Sequence, residues 1–153
     1  MKVIAYDRSP DRKISDPDIS TDSIEFLSLT ELYAKSDIIS LHCPLTEETA
    51  GLINQESIAQ MKNDVIIVNT ARGGLIVEED LDAALEAGEV QTAALDVLTA
   101  EPPASSNPLL NSDKTIITPH IAWATKESRE CLIDIVYKNI KSYLDGKIIN
   151  QVN

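Results

Sequence analysis

Short runs rich in β-branched residues alternate with helical patterns along this chain, and that rhythm leaves few architectures open. The strand-like runs are KVIAY (2–6), IEFL (24–27), DIISLHC (37–43), DVIIVNT (64–70), TAALDV (92–97) and KTIITP (114–119). Several are apolar at consecutive positions, the pattern of strands covered on both faces. Helical segments fall between them at 30–34, 54–61 and 78–87, and a longer one follows at about 124–144. The segment at 78–87 begins with Glu78, Glu79 and Asp80 near its positive end and meets Gly88 at its exit. The last carries Leu132, Ile133, Val136, Tyr137, Ile140 and Leu144 close to the helical period, and Gly146 closes it. Such alternation predicts parallel strands joined by right-handed crossovers, an α/β fold with a doubly wound sheet. Ligands of these sheets sit at the carboxyl ends of strands, so polar residues at strand exits are the ones to test. The stretch at 101–111, rich in Pro, Ser and Asn, reads as an ordered but irregular loop.

With 43% hydrophobic and 4% aromatic residues, the core must be built from Ile, Leu, Val and Ala. A length of 153 residues gives room for one such core. Thirteen basic against twenty-five acidic residues leave a formal charge of -12, which repels phosphate backbones and anionic lipids. Nucleic acid and membrane partners are therefore not expected. An anionic small substrate stays possible, because a local arginine overrides the mean field inside a cleft. Cys43 and Cys131 follow no metal-ligand spacing, so no metal is expected and a reduced, cytoplasmic protein is the simple reading. The apolar run after Lys2 stops at Asp7, too short for a secretory signal, and VIIV at 65–68 is strand-length rather than membrane-spanning.

Asp7 closes the first run, where an acidic side chain accepts hydrogen bonds from both hydroxyls of an adenosine ribose. An Asp before Arg8-Ser9-Pro10 serves equally well as a turn former. Arg8 could pair with a 2'-phosphate, but Asp7 would repel that group, so NAD is favoured over NADP. His42-Cys43-Pro44 ends the third run. Pro44 stops the ladder and leaves a backbone wall suited to a cofactor ribose, although a histidine packed beside a buried thiol explains the same residues. The segment NTARGG (69–74) says more. Arg72 emerges directly after an apolar strand, followed by two glycines that let the backbone turn sharply. A guanidinium there can hold a carboxylate through two hydrogen bonds and still polarise a carbonyl. The plainer alternative is a surface arginine in a salt bridge. Asp96 stands within ALDV, where it could face the positive side of a nicotinamide. Glu101 follows a short loop ahead of Pro102-Pro103, and His120 precedes Ile121-Ala122-Trp123. Singly, Glu101 reads as a solvated acid and His120 as a capping or packed residue. Together, three strand exits would bring an arginine, an acid and an imidazole to one edge of a parallel sheet.

The segments SDIISLHCPLTEETAGLIN, VIIVNTARGGLIVEEDLDAAL, AALDVLTAEPP, NPLL and ITPHIAWAT, in this order and spacing, resemble the D-isomer-specific 2-hydroxyacid dehydrogenases. HIAWAT and the stretch from AEPP to NPLL are most similar to the glycerate dehydrogenase (hydroxypyruvate reductase) branch, and the resemblance covers almost all of the chain. It implies hydride transfer between NAD(H) and a small 2-hydroxy or 2-oxo acid of glycerate, hydroxypyruvate or glyoxylate type. Under it, Arg72 matches the substrate-orienting arginine, Glu101 the acid paired to the histidine, and His120 the general acid/base. Asp7 matches the ribose-binding acid and Asp96 the residue facing the nicotinamide. Cys43, Thr70 and Ala71 would line the cofactor mainly through backbone atoms, beside Pro44, Arg72 and His120. Ala122 and Trp123 stand where many relatives have small residues, often glycine, and Trp123 narrows that space. Relatives dimerise through their nucleotide domains, which implies a homodimer for a full-length form.

One departure is large. No G-x-G-x-x-G occurs, and the glycines are Gly51, Gly73, Gly74, Gly88 and Gly146. Residues 1–153 therefore read as a single, N-terminally truncated NAD-binding domain, with 144–153 as a tail returning to a substrate lobe that is absent. The expected fold is an incomplete Rossmann-like sheet lacking its first strand and glycine-rich loop. That strand is central in the usual order, so its loss should separate the strand at 2–6 from the one at 37–43 and leave unpaired edges. A piece of this kind should bind NAD poorly and turn over little, because the pyrophosphate loses its helix N-terminus. Two alternatives share the fold: a non-catalytic NAD-sensing scaffold like the co-repressor relatives, and a subunit whose missing strand comes from another polypeptide.

Overall fold

Every strand expected from the β-branched runs forms in the computed structural model, which describes residues 1–9 and 24–151. They are β1 (Val3–Ala5), β2 (Ile24–Phe26), β3 (Ile38–Leu41), β4 (Val65–Asn69), β5 (Val90–Leu95) and β6 (Thr115–Ile117). All ladders are parallel. β1 and β2 make one small sheet, while β3, β4, β5 and β6 make a second in chain order. The expected separation of the strand at 2–6 from the strand at 37–43 is thus present. β5 starts earlier than its run, because Val90 is fully buried and pairs with Val65 across a register shift. It also ends earlier, at Leu95, which leaves Asp96 just beyond the strand.

The crossovers are α1 (Leu29–Lys35), α2 (Gln55–Ile58) and α3 (Glu78–Ala87), and α4 (Lys126–Leu144) follows β6. Capping residues explain where they begin. Ser28 and Glu31 form a reciprocal capping box on α1, and Asn54 and Ser57 form another on α2. α3 has the expected ends: three acids in its first turn, and Gly88 in the left-handed region at φ 78°. The loop at 101–111 is irregular as expected until a 3₁₀ turn at Pro108–Asn111, capped by the Asn107 side chain.

The chain divides into two compact units, residues 1–117 and 118–153. The core of the first is aliphatic apart from Tyr33, as the composition required. Ile39 and Leu41 of β3, Val65 and Ile67 of β4, and Val90, Ala93 and Leu95 of β5 meet Leu81, Ala84 and Leu85 of α3, with Leu75 and Leu109 from the loops. Full burial of each large side chain contributes about 2 kcal/mol of transfer free energy. β3 is covered on one face only: Ile39 and Leu41 are buried while Ile38 and Ser40 are exposed. Consecutive apolar residues there announced a strand but overstated its cover.

The second unit is a tight turn leading into α4, whose Thr125 side chain accepts a hydrogen bond from the Ser128 backbone. The apolar stripe read from the sequence exists on this helix, but none of its residues is buried. Among the described residues, no helix is long and apolar enough to cross a membrane. The last two residues of the tail at 144–153 lie outside the described residues.

Candidate active site

The exit of β4 is organised by its last residue. Asn69 is fully buried, and its carboxamide makes two hydrogen bonds into the turn that follows. Nδ2 donates to the Arg72 carbonyl at 2.9 Å, and Oδ1 accepts from the Ala71 backbone at 3.0 Å. Its own carbonyl accepts from the Asp96 backbone at 2.9 Å, joining this turn to the exit of β5. Thr70, Ala71 and Arg72 are presented on that fixed loop. Arg72 is exposed, with Nη1 donating to the Ala71 carbonyl at 2.6 Å.

Gly73 then brings a second exit into contact. A Cβ at this position would lie 2.0 Å from the Leu98 carbonyl carbon and 2.4 Å from the Thr99 nitrogen, so only glycine lets the two backbones touch. On the far side of the contact, the Leu98 N–H donates to Glu101 Oε1 at 3.2 Å. The segments carrying Arg72 and Glu101 therefore pack together within the first unit. Beside them an open cleft of ≈ 710 Å³ is lined by His42, Cys43, Pro44, Leu45, Ala71 and Arg72. It lies where the exits of β3 and β4 meet, the place that parallel sheets offer to ligands. Cys43, Pro44, Ala71 and Arg72, each expected from the sequence, share it. Cys43 is half-buried, and the exposed His42 is 2.9 Å from Ser40 Oγ through Nε2.

Other expected residues sit in mixed surroundings. Asp96 is buried at 4% exposure directly past β5. Asp7 is exposed past β1, and its carboxylate accepts from the Ser9 backbone at 2.6 Å, so the turn-forming alternative is realised. A carboxylate has about four acceptor sites and the turn uses one, which is compatible with a ribose contact as well. Arg8, the residue that could have met a 2'-phosphate, pairs with Glu48 at 2.9 Å.

His120 belongs to the second unit with Ala122 and Trp123. Its backbone is left-handed at φ 54°, its N–H donates to the Thr118 carbonyl at 3.0 Å, and its carbonyl accepts from Trp123 Nε1 at 3.1 Å. A non-glycine residue held in this region stores strain, which concentrates at functional positions. Trp123 is 57% exposed. Of Arg72, Glu101 and His120, the first unit holds Arg72 and Glu101.

Two residues were missed from sequence. Asn69 falls within the run at 64–70 and has no role of its own in the sequence, although a polar residue closing an apolar strand just before Arg72 is a usable signal. Glu78 was read only as an acid at a positive helix end. Its two oxygens accept from the Thr99 backbone and from Asn107 Nδ2, each at 2.6 Å. No local pattern announces partners so distant in the chain.

The chain belongs to the D-isomer specific 2-hydroxyacid dehydrogenase family: residues 1–122 match its NAD binding domain. Over its full length it is 48% identical to a hydroxypyruvate reductase from Blautia hydrogenotrophica, covering 46% of that protein. Among solved structures, an acyclic imino acid reductase in complex with NADPH and D-Arg superposes with a TM-score of 0.85 at 34% identity, over 100% of this chain and 46% of that one. A D-lactate dehydrogenase with NAD+ from Lactobacillus jensenii superposes with a TM-score of 0.82 at 31% identity, over 98% and 48%. The chain thus spans about half the length of the relatives it matches.

Proposed function

We propose that this chain supplies the cofactor-binding and acid–base residues of an NAD-dependent dehydrogenase for a small 2-hydroxy/2-oxo acid of glycerate, hydroxypyruvate or glyoxylate type. The observation that carries this reading is the joined pair of strand exits. An exposed guanidinium stands on a buried asparagine clamp beside an open cleft, and the adjoining Gly73 backbone packs against the Leu98–Thr99 backbone that leads to Glu101. The high identity to a hydroxypyruvate reductase supports the substrate class.

The cofactor would lie along Cys43, Pro44 and Ala71, which line the cleft, with Thr70 on the same turn, Asp7 for the ribose and Asp96 for the nicotinamide side. When bound, NAD(H) donates or takes the hydride. Asp7 and the Arg8–Glu48 pair favour NAD over NADP, since neither leaves an uncompensated cation for a 2'-phosphate. Arg72 holds the substrate carboxylate and stabilises negative charge on the carbonyl oxygen. His120 gives that oxygen its proton during reduction and takes it back during oxidation. Glu101 takes the role of the acid that pairs with this histidine in the family. Ala122 and Trp123 border the substrate, Trp123 limiting its size. A cytoplasmic homodimer is part of the same reading.

The test is NADH oxidation with hydroxypyruvate and with glyoxylate. It is run on the chain alone and on the chain substituted for the matching stretch of the Blautia hydrogenotrophica relative. Turnover that disappears in His120→Gln is expected. If neither form binds NADH or reduces either acid, the proposal fails.

A further inference from the structure

Glu78 lies outside every role assigned above, yet it makes two of the shortest hydrogen bonds around the site. It opens α3, shortly after Arg72 and the Gly73–Leu75 turn. One oxygen accepts from Thr99 N–H and the other from Asn107 Nδ2, both at 2.6 Å. Those partners bracket the loop that contains Glu101. Asn107 is itself anchored, because its Oδ1 accepts from the backbone of Leu109, a fully buried core residue. Thr99 also touches the Gly73 backbone. A single half-buried carboxylate therefore ties both ends of the Glu101 loop to the helix that follows the Arg72 turn. Glu78 stands in the first turn of α3, where an acidic side chain complements the helix dipole.

We propose that Glu78 is a positioning residue: by holding Thr99 and Asn107 it sets where the Glu101 carboxylate stands relative to the Arg72 turn. This rests on the proposed role of Glu101 as the acid that pairs with His120. Glu78 touches no reacting atom, and its influence runs through backbone. The Leu98 N–H that donates to Glu101 directly precedes the Thr99 N–H that donates to Glu78, so a loop released at Thr99 is released at Leu98.

The experiment uses amide hydrogen exchange in the full chain, which needs no turnover. In Glu78→Ala, exchange at Thr99 and Leu98 speeds up by about tenfold or more, the consequence of local opening, while Ile67 within β4 keeps its protection. Glu78→Gln restores Thr99 and Leu98 to within about threefold of the native rate, because its amide oxygen still accepts from Thr99. Where hydroxypyruvate reduction is measurable, kcat in Glu78→Ala falls by about tenfold with little change in KM, as expected when proton transfer is misaligned and Arg72 is intact. Unchanged exchange at Leu98 in Glu78→Ala, or a Glu78→Gln variant as loose as Glu78→Ala, would overturn the proposal. A failure of the underlying reading looks different: Glu101→Gln leaves turnover intact although Leu98 and Thr99 respond to Glu78→Ala as stated.

Discussion

Asn69 and Arg72 are joined by one hydrogen bond, from the buried carboxamide Nδ2 to the arginine carbonyl at 2.9 Å. It closes the turn that carries the guanidinium to the rim of the cleft. Because Oδ1 of the same group holds the Ala71 N–H, neither end of the carboxamide is spare. Asn69→Ala leaves that backbone donor and acceptor without a partner in a part-buried turn, so stability falls by about 1–2 kcal/mol. Denaturant unfolding reads the loss. Asn69→Asp keeps the acceptor but loses the donor and buries a charge, and should be no better than alanine.

Gly73→Ala tests the contact between the two strand exits. Its Cβ would overlap the Leu98–Thr99 backbone, which has no flexible end to give way. The expected result is a loss of about 2 kcal/mol or more, in the range of strain at a constrained backbone position. Faster amide exchange at Leu98 should accompany it. A native-like melting temperature would mean that the two loops separate easily.

Arg72→Lys keeps the charge and removes the fork that can hold a carboxylate by two hydrogen bonds. Steady-state kinetics on the substituted relative should show kcat/KM for hydroxypyruvate down by about a hundredfold, with folding stability unchanged because the side chain is exposed. A change of less than about threefold would remove Arg72 from the proposed site.

Tyr33 provides a pH test of the core. It is 4% exposed, its hydroxyl donates to the Leu52 carbonyl at 3.2 Å, and burial pushes its pKa up to about 12. The folded state thus holds the phenol proton more tightly than the unfolded chain, where the pKa is about 10. Its contribution is complete below pH 10 and is lost as pH rises from there towards 12. Unfolding curves should weaken over that alkaline window in the native protein, and Tyr33→Phe should remove this part of the dependence.

Local chemistry singled out residues that share a cleft and left their scaffolding unread. Cys43, Pro44, Ala71 and Arg72 were found because each follows a strand-like run, and parallel sheets place ligands at such ends. Glu78 and Asn69 escaped because their meaning lies in partners. Glu78 bonds residues well beyond its own helix, and Asn69 reaches forward to fix the turn at Ala71 and Arg72. Asp7 shows a different limit. Its turn and its ribose role predict the same residue, and the structure displays the turn.

The alternation of β-branched runs with capped helical segments determined the element order, the parallel pairing and an aliphatic core, because periodicity and capping act within a few residues of chain. Tertiary structure alone decided that the Gly73 backbone meets Leu98, that one carboxylate grips both ends of the Glu101 loop, and that the apolar face of α4 stays uncovered. These depend on which loops and faces come together in space, and residues far apart in sequence carry no local record of that meeting.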